Sequence, residues 1–186
     1  MKIFLVGVGC VGKTTVGARL APMMGAAFSF FDLDDEIERF FNAPIERLQD
    51  RFGSFRSYQK EASKALHHLL QQTAAKNAVI ALTASGLMNP YWNIVKNSNG
   101  MAVVLADDAE NILERITFFD KDSVPIVRTL TDQEKRLYLR EIKKDITYFN
   151  RSYRKADLVV TIAGLDAYTA AVKVKGMLVE HLLRRA

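Results

Sequence analysis

The run Gly7-Val8-Gly9-Cys10-Val11-Gly12-Lys13-Thr14 constrains this chain more than any other segment. It fits the pattern G-x-x-x-x-G-K-[ST] at every fixed position. With glycine at about 7% of residues, a chance match in a chain of this length arises below roughly one time in a hundred. The flanks agree with the motif. Ile3-Phe4-Leu5-Val6 is a short apolar run that reads as a buried strand, and Thr15 to Met24 reads as a helix with Val16, Leu20 and Met23 on one face. A loop that wraps a triphosphate needs bare backbone N–H groups and positive φ angles, which glycine supplies, and the helix start adds partial positive charge. Gly9, Cys10, Val11, Gly12, Lys13, Thr14 and Thr15 are therefore the expected ATP-binding residues. Lys13 reaches the β and γ phosphates, and the Thr14 hydroxyl is an Mg²⁺ ligand. The alternative is a tight strand-to-helix turn that happens to carry a lysine.

The rest of the chain sorts into alternating elements. Strands are predicted at Lys2–Val6, Ala27–Phe31, Ala78–Leu82, Met101–Leu105 and Leu158–Ile162. Helices are predicted at 13–24, 34–41, 44–51, 55–76, 90–97, 109–116, 132–154 and 165–184. Such alternation implies an α/β fold, a parallel sheet with helices on both faces, and ligands bound at the carboxyl ends of the strands. The 186 residues, 49% of them hydrophobic, suffice for one domain spanning 1–186. Cys10 is the only cysteine, so an intrachain disulfide is excluded. The N-terminal apolar run is too short for a signal peptide and no run is long enough for a membrane span, so a cytoplasmic protein is expected. The net charge of +5 suits anionic ligands, but its basic residues are scattered, which argues against a nucleic-acid partner. Oligomerisation has no signature here, and a monomer is the expectation.

Phe31-Asp32-Leu33-Asp34 ends the second predicted strand. Two carboxylates one residue apart, beside a phosphate loop, suit phosphoryl transfer, which relies on positioning and charge neutralisation. One of them is expected to hold the Mg²⁺ hydration shell or assist the attacking hydroxyl, and the other to hydrogen-bond substrate hydroxyls. The competing role is capping of the helix that runs on through Asp35-Glu36-Ile37-Glu38. Residues 42–55 and 117–131 are expected to be cover segments. The second would close over the nucleotide and exclude water.

Gly-x-x-Gly-Lys-Thr-Thr, the Asp32–Glu38 run and Phe55-Arg56 together resemble the shikimate kinase family. The resemblance follows the chain in order and length, with its specific motifs in the first third. It implies a P-loop NTPase fold of the nucleoside-monophosphate-kinase kind, a substrate-binding segment at about 33–62 and a lid at about 117–131. It also implies transfer of the ATP γ-phosphate to a hydroxyl of shikimate or a related hydroxy acid, as in aromatic amino acid biosynthesis. Asp32 would then sit by Mg²⁺ and the reacting hydroxyl, Asp34 would hold substrate hydroxyls, and Arg56 would hold the substrate carboxylate through the paired donors of its planar fork. Arg115 would stack on the adenine.

Several positions depart from the family pattern. A glycine triplet after the third strand is replaced by Thr83-Ala84-Ser85-Gly86. The lid's arginine-proline pair becomes Val124-Pro125, leaving Arg128 as the nearest γ-phosphate ligand. The second carboxylate-binding arginine is matched by Lys144, with Arg151 as a rival, and the glutamate three residues after the first is Gln59. Two other readings stay open: a nucleotide-binding regulator that has lost transfer, and a P-loop kinase for another metabolite. His67-His68 is a poor chelate, because adjacent helical side chains diverge by about 100°. Tyr91 and Trp92 read as packing residues. Phe118-Phe119 borders the lid, where one ring has a path to the adenine.

Overall fold

A computed structural model describes residues 1–184, so Arg185 at the basic tail lies outside the described residues. Five parallel strands form the central sheet. They are β1 (Lys2–Val6), β2 (Ser29–Asp32), β3 (Ala78–Ala81), β4 (Gly100–Ala106) and β7 (Leu158–Thr161), in the order β2-β3-β1-β4-β7. β1 is central: Phe4 pairs with Ile80 on one side and Ala102 on the other. Because helices cover both faces, Ile3, Phe4, Leu5 and Val6 are all fully buried, which is why the strand is a continuous apolar run. Each such side chain contributes about 1.5–3 kcal/mol relative to exposure.

The helices are α1 (Lys13–Met24), α2 (Leu33–Phe41), α3 (Ile45–Phe52), α4 (Phe55–Gln71), α5 (Tyr91–Val95), α6 (Ala109–Glu114), α7 (Asp132–Tyr153) and α8 (Ala167–Leu183). α1 packs on α8, α4 on α2, α3 and α5, and α6 on α7. Together these elements make the parallel sheet with helices on both faces that the alternating pattern predicts, the architecture of the P-loop NTPase fold that the resemblance implies. No helix among the described residues is long and apolar enough to cross a membrane.

Three differences from the predicted elements have local causes. β2 begins at Ser29 because a turn closed by Phe28 N–H to Gly25 O (3.0 Å) consumes the residues before it. α4 stops at Gln71, and a 3₁₀ turn (Thr73–Ala75) covers the remaining residues. Residues 117–131 carry a small antiparallel hairpin, β5 (Phe118–Phe119) with β6 (Pro125–Ile126). Strands of two residues are too short to show alternation. Asp120 ties the hairpin tip: its carboxylate accepts from the amides of Asp122 (2.8 Å) and Val124 (3.0 Å).

Candidate active site

The carboxyl ends of β1, β2 and β3 open onto a cleft of about 1240 Å³. Gly9, Cys10, Gly12, Lys13, Thr14 and Thr15 form its phosphate-loop end, whereas the Val11 side chain is fully buried beneath the loop. Two glycines are obligatory here. Gly12 has φ of 103°, a left-handed value, and a Cβ on Gly7 would meet Leu105 O at 2.7 Å and Val11 Cγ1 at 2.8 Å. The Lys13 ammonium donates to the loop's own carbonyls, Gly7 O and Val8 O, both at 3.0 Å. Burial lowers its pKa, opposed by the negative charges of Asp34 and Asp32.

Asp32 resolves the choice between capping and chemistry by dividing its oxygens. Oδ1 accepts from the Asp34 amide at 3.0 Å and caps α2, while Oδ2 accepts from the Thr14 hydroxyl at 2.5 Å. Capping α2 thus leaves one Asp32 oxygen directed at the phosphate loop. A hydroxyl and a carboxylate touching at the head of the loop are hard oxygen donors. They fit Mg²⁺, which takes one or two protein ligands and completes its shell with phosphate and water. No cluster of three acidic, histidine or cysteine side chains that could enclose a metal exists among the described residues, so any ion here depends on the nucleotide for the rest of its shell.

Asp34 stands one helical step further in and lines the cleft. Solvent reaches it through the cleft mouth, but protein surrounds it on its other sides. Burial and the nearby Asp32 charge push its pKa up to about 6, with Lys13 pulling the other way. A carboxylate with that pKa is suited to take a proton near neutrality.

The remaining predicted site residues divide into two groups. Arg115 lines the cleft and pairs with Asp107, whose side chain is 1% exposed. Burial acts to raise the Asp107 pKa. Hydrogen bonds from Asn111 (2.8 Å), Arg115 and the Asp108 amide (2.7 Å) outweigh it and hold the group below the ordinary carboxylate range. Arg115 is thus a fixed cation at the cleft rim. Phe119 also lines the cleft, while Phe118 packs edge-on against Tyr138.

Arg56, Lys144 and Arg128 are not brought to the cleft wall. Arg56 is exposed on the first turn of α4, between Phe55 and Tyr58, neighbours that line either side of the acceptor end. Lys144 is exposed and bonds Glu141 at 2.8 Å; its neighbours Asp145 and Tyr148 face the cleft instead. Arg128 pairs with Glu134 and lies over the Phe118 ring, 5.2 Å from its centroid.

Sequence reasoning missed part of the site. Tyr58, Gln49, Asp145 and Tyr148 line the cleft without belonging to any motif. The spacing of Asp145, Tyr148 and Phe149 at i, i+3 and i+4 was the available signal, since those positions share a helix face. The lid tip was also unforeseen. Ser123 donates to Glu38 and is 3.1 Å from Glu46, and Arg47 pairs with Asp122. The hairpin therefore rests on α2 and α3, the two helices that flank the acceptor end.

Comparison with known proteins places this geometry. A family model described as shikimate kinase matches residues 9–174. A shikimate kinase of Thermoanaerobacter pseudethanolicus is 29% identical over 175 residues, 93% of each chain. Among solved structures, shikimate kinase from Aquifex aeolicus superposes with a TM-score of 0.73 at 24% identity, covering 98% of this chain and 99% of that one. Shikimate kinase from Acinetobacter baumannii, solved in complex with shikimate, gives 0.75 at 23% identity, covering 96% and 93%.

Proposed function

Because the chain belongs to the shikimate kinase family and carries a shikimate kinase-like phosphotransferase architecture, we propose that it transfers the γ-phosphate of ATP to a hydroxyl of shikimate or a related hydroxy acid. One observation carries the reading. The phosphate loop, the Thr14–Asp32 pair and Asp34 converge on a single cleft within reach of one another.

In this reading ATP lies along the loop from Gly9 to Thr15. Lys13 exchanges its bonds to Gly7 and Val8 for phosphate oxygens, and Arg115 lies against the adenine. Thr14 and Asp32 hold Mg²⁺, which when bound neutralises charge on the phosphates. The acceptor hydroxyl attacks the γ-phosphorus as the bond to the β–γ bridging oxygen breaks, and ADP leaves. Asp34 orients the hydroxyl and takes its proton, since both Asp32 oxygens are already engaged. Arg56 turns inward to meet the acceptor carboxylate, with Lys144 as a second cation once released from Glu141. Arg128, released from Glu134, supplies positive charge from the lid. Residues 1–186 act as one unit, a monomer in the cytoplasm with no nucleic-acid or membrane partner.

The test is ADP release from Mg²⁺–ATP with and without shikimate. Release that depends on shikimate or on another hydroxy acid supports the reading. ATP binding without stimulation by any acid would replace it with a regulator that holds nucleotide, the role favoured by the filled Thr83–Ser85 segment.

A further inference from the structure

The wall facing Asp34 is made by the segment that follows β3. Thr83, Ala84 and Ser85 all line the cleft, on the same side as Tyr58. Their placement is fixed from behind. The Gly86 amide donates to Thr83 O (2.9 Å), Met88 N–H donates to Ser85 O (2.7 Å), and the Tyr153 hydroxyl from α7 donates to Ala84 O (3.0 Å). A Cβ on Gly86 would stand 2.6 Å from the Leu82 Cβ, so only glycine fits at that point. Thr83 and the largely buried Ser85 consequently sit on a turn held by three hydrogen bonds.

Their hydroxyls sit 3.1 Å apart and share one hydrogen bond. Two hydroxyls hold two protons and four lone pairs, so this bond leaves one donor and three acceptor sites unspent. Beside them, the fully buried Tyr91 hydroxyl lies within interaction range of Thr83, where a bond from it takes one of those acceptor sites and leaves the donor free. A surface that both donates and accepts complements hydroxyl groups, which do the same. It is a poor match for the double-bonded edge of the shikimate ring, which does neither.

We infer that Thr83 and Ser85 are specificity-determining residues that hydrogen-bond acceptor hydroxyls, and that the preferred acceptor is a saturated polyhydroxy acid bearing more hydroxyls than shikimate. The inference rests on the kinase reading above and narrows its acceptor. A site built to bond a hydroxyl rejects the analogue lacking it, because its own polar groups are left unpaired.

The test compares kcat/KM for shikimate, quinate (a saturated ring acid) and D-gluconate (an open-chain acid), by ADP release from the full chain at saturating Mg²⁺–ATP. One saturated acid is expected to exceed shikimate by about tenfold or more. A ring preference and an open-chain preference each support the inference and identify the acceptor's shape. The double variant Thr83→Val, Ser85→Ala keeps side-chain volume nearly unchanged. It should reduce kcat/KM for the preferred acid by roughly 10²-fold and for shikimate by only a few-fold, leaving the KM for ATP alone. Thr83→Ser should restore most of the loss, which a purely structural role would not produce. Shikimate as the best acceptor, or equal losses for all three acids, overturns the inference and leaves the kinase standing. If none of the acids stimulates release, both fail.

Discussion

The two ends of the cleft are built differently. The end proposed for the nucleotide is made of backbone and short-range contacts: Gly7 and Gly12 shape the loop, Lys13 bonds the loop carbonyls, and Thr14 meets Asp32. The end proposed for the acceptor is made of side chains drawn from five separated segments, α2, α3, α4, the turn after β3, and α7. The first kind of site suits a triphosphate, whose shape does not change from one kinase to another. The second has to match the particular acceptor side chain by side chain. Membership of a family therefore says more about the Lys13 end than about the Thr83 end.

The contrast is most exposed to test at Lys13. Lys13→Ala should lower kcat by about 10²–10³-fold or more, whichever acceptor is used, because the charge it neutralises belongs to the phosphates. A loss that varies with the acceptor would mean the two ends are not separable.

Asp34→Asn comes next, with an expected loss of roughly 10²–10⁴-fold in kcat/KM. Its pH behaviour sharpens the point. The folded-state pKa, raised to about 6 from 3.8, means the folded chain binds the extra proton between those values. Wild-type stability therefore falls as pH rises through that window. The variant escapes this, so its melting temperature should match wild type below about pH 4 and exceed it above about pH 6. Wild-type activity should fall as pH drops through the Asp34 pKa. Equal melting temperatures at all pH values would show that Asp34 is not strained by its setting.

Arg56→Lys should raise the acceptor KM by about tenfold, since lysine keeps the charge and loses the fork, with the KM for ATP unmoved. Parallel changes in both constants would remove Arg56 from the acceptor end. The smallest effect is expected at Ser123→Ala, which removes the hydroxyl shared by Glu38 and Glu46. The acceptor KM should rise a few-fold, as hydrogen bonds to charged groups contribute about 1.5–3 kcal/mol before screening, and ATP hydrolysis without acceptor should increase. Unchanged values for both would show that the hairpin tip rests on α2 and α3 without consequence.

Much of this was legible in the sequence because its signals are local. β1 and α1 match their predicted bounds, since a buried central strand and a phosphate-loop helix are both encoded by contiguous residues. The placement of Asp32 and Asp34 at the carboxyl end of β2, beside the loop, was legible for the same reason. What stayed hidden depends on distance. Lys144 and Glu141 form an i, i+3 pair, and Asp145 and Tyr148 share a helix face, but which face of α7 turns to the cleft is set by how the helix packs. The Arg128–Glu134 pair and the two-residue strands of the lid were equally unreadable. Tyr91 reads from sequence as a packing residue and is fully buried, but that its hydroxyl ends beside Thr83 is a property of the tertiary packing.

The footing of the lid hairpin has a consequence for how such a chain drifts. Glu38 receives Ser123 and also accepts from the Ile45 amide at 2.9 Å, so the carboxylate that anchors the lid also sets the start of α3. A lineage that remodels α2 and α3 to accommodate a new acceptor disturbs the lid's landing place in the same step. If the hairpin closes over ATP as proposed, acceptor choice and protection of ATP from water change together, and a graft that moves one without the other should produce an enzyme that wastes nucleotide.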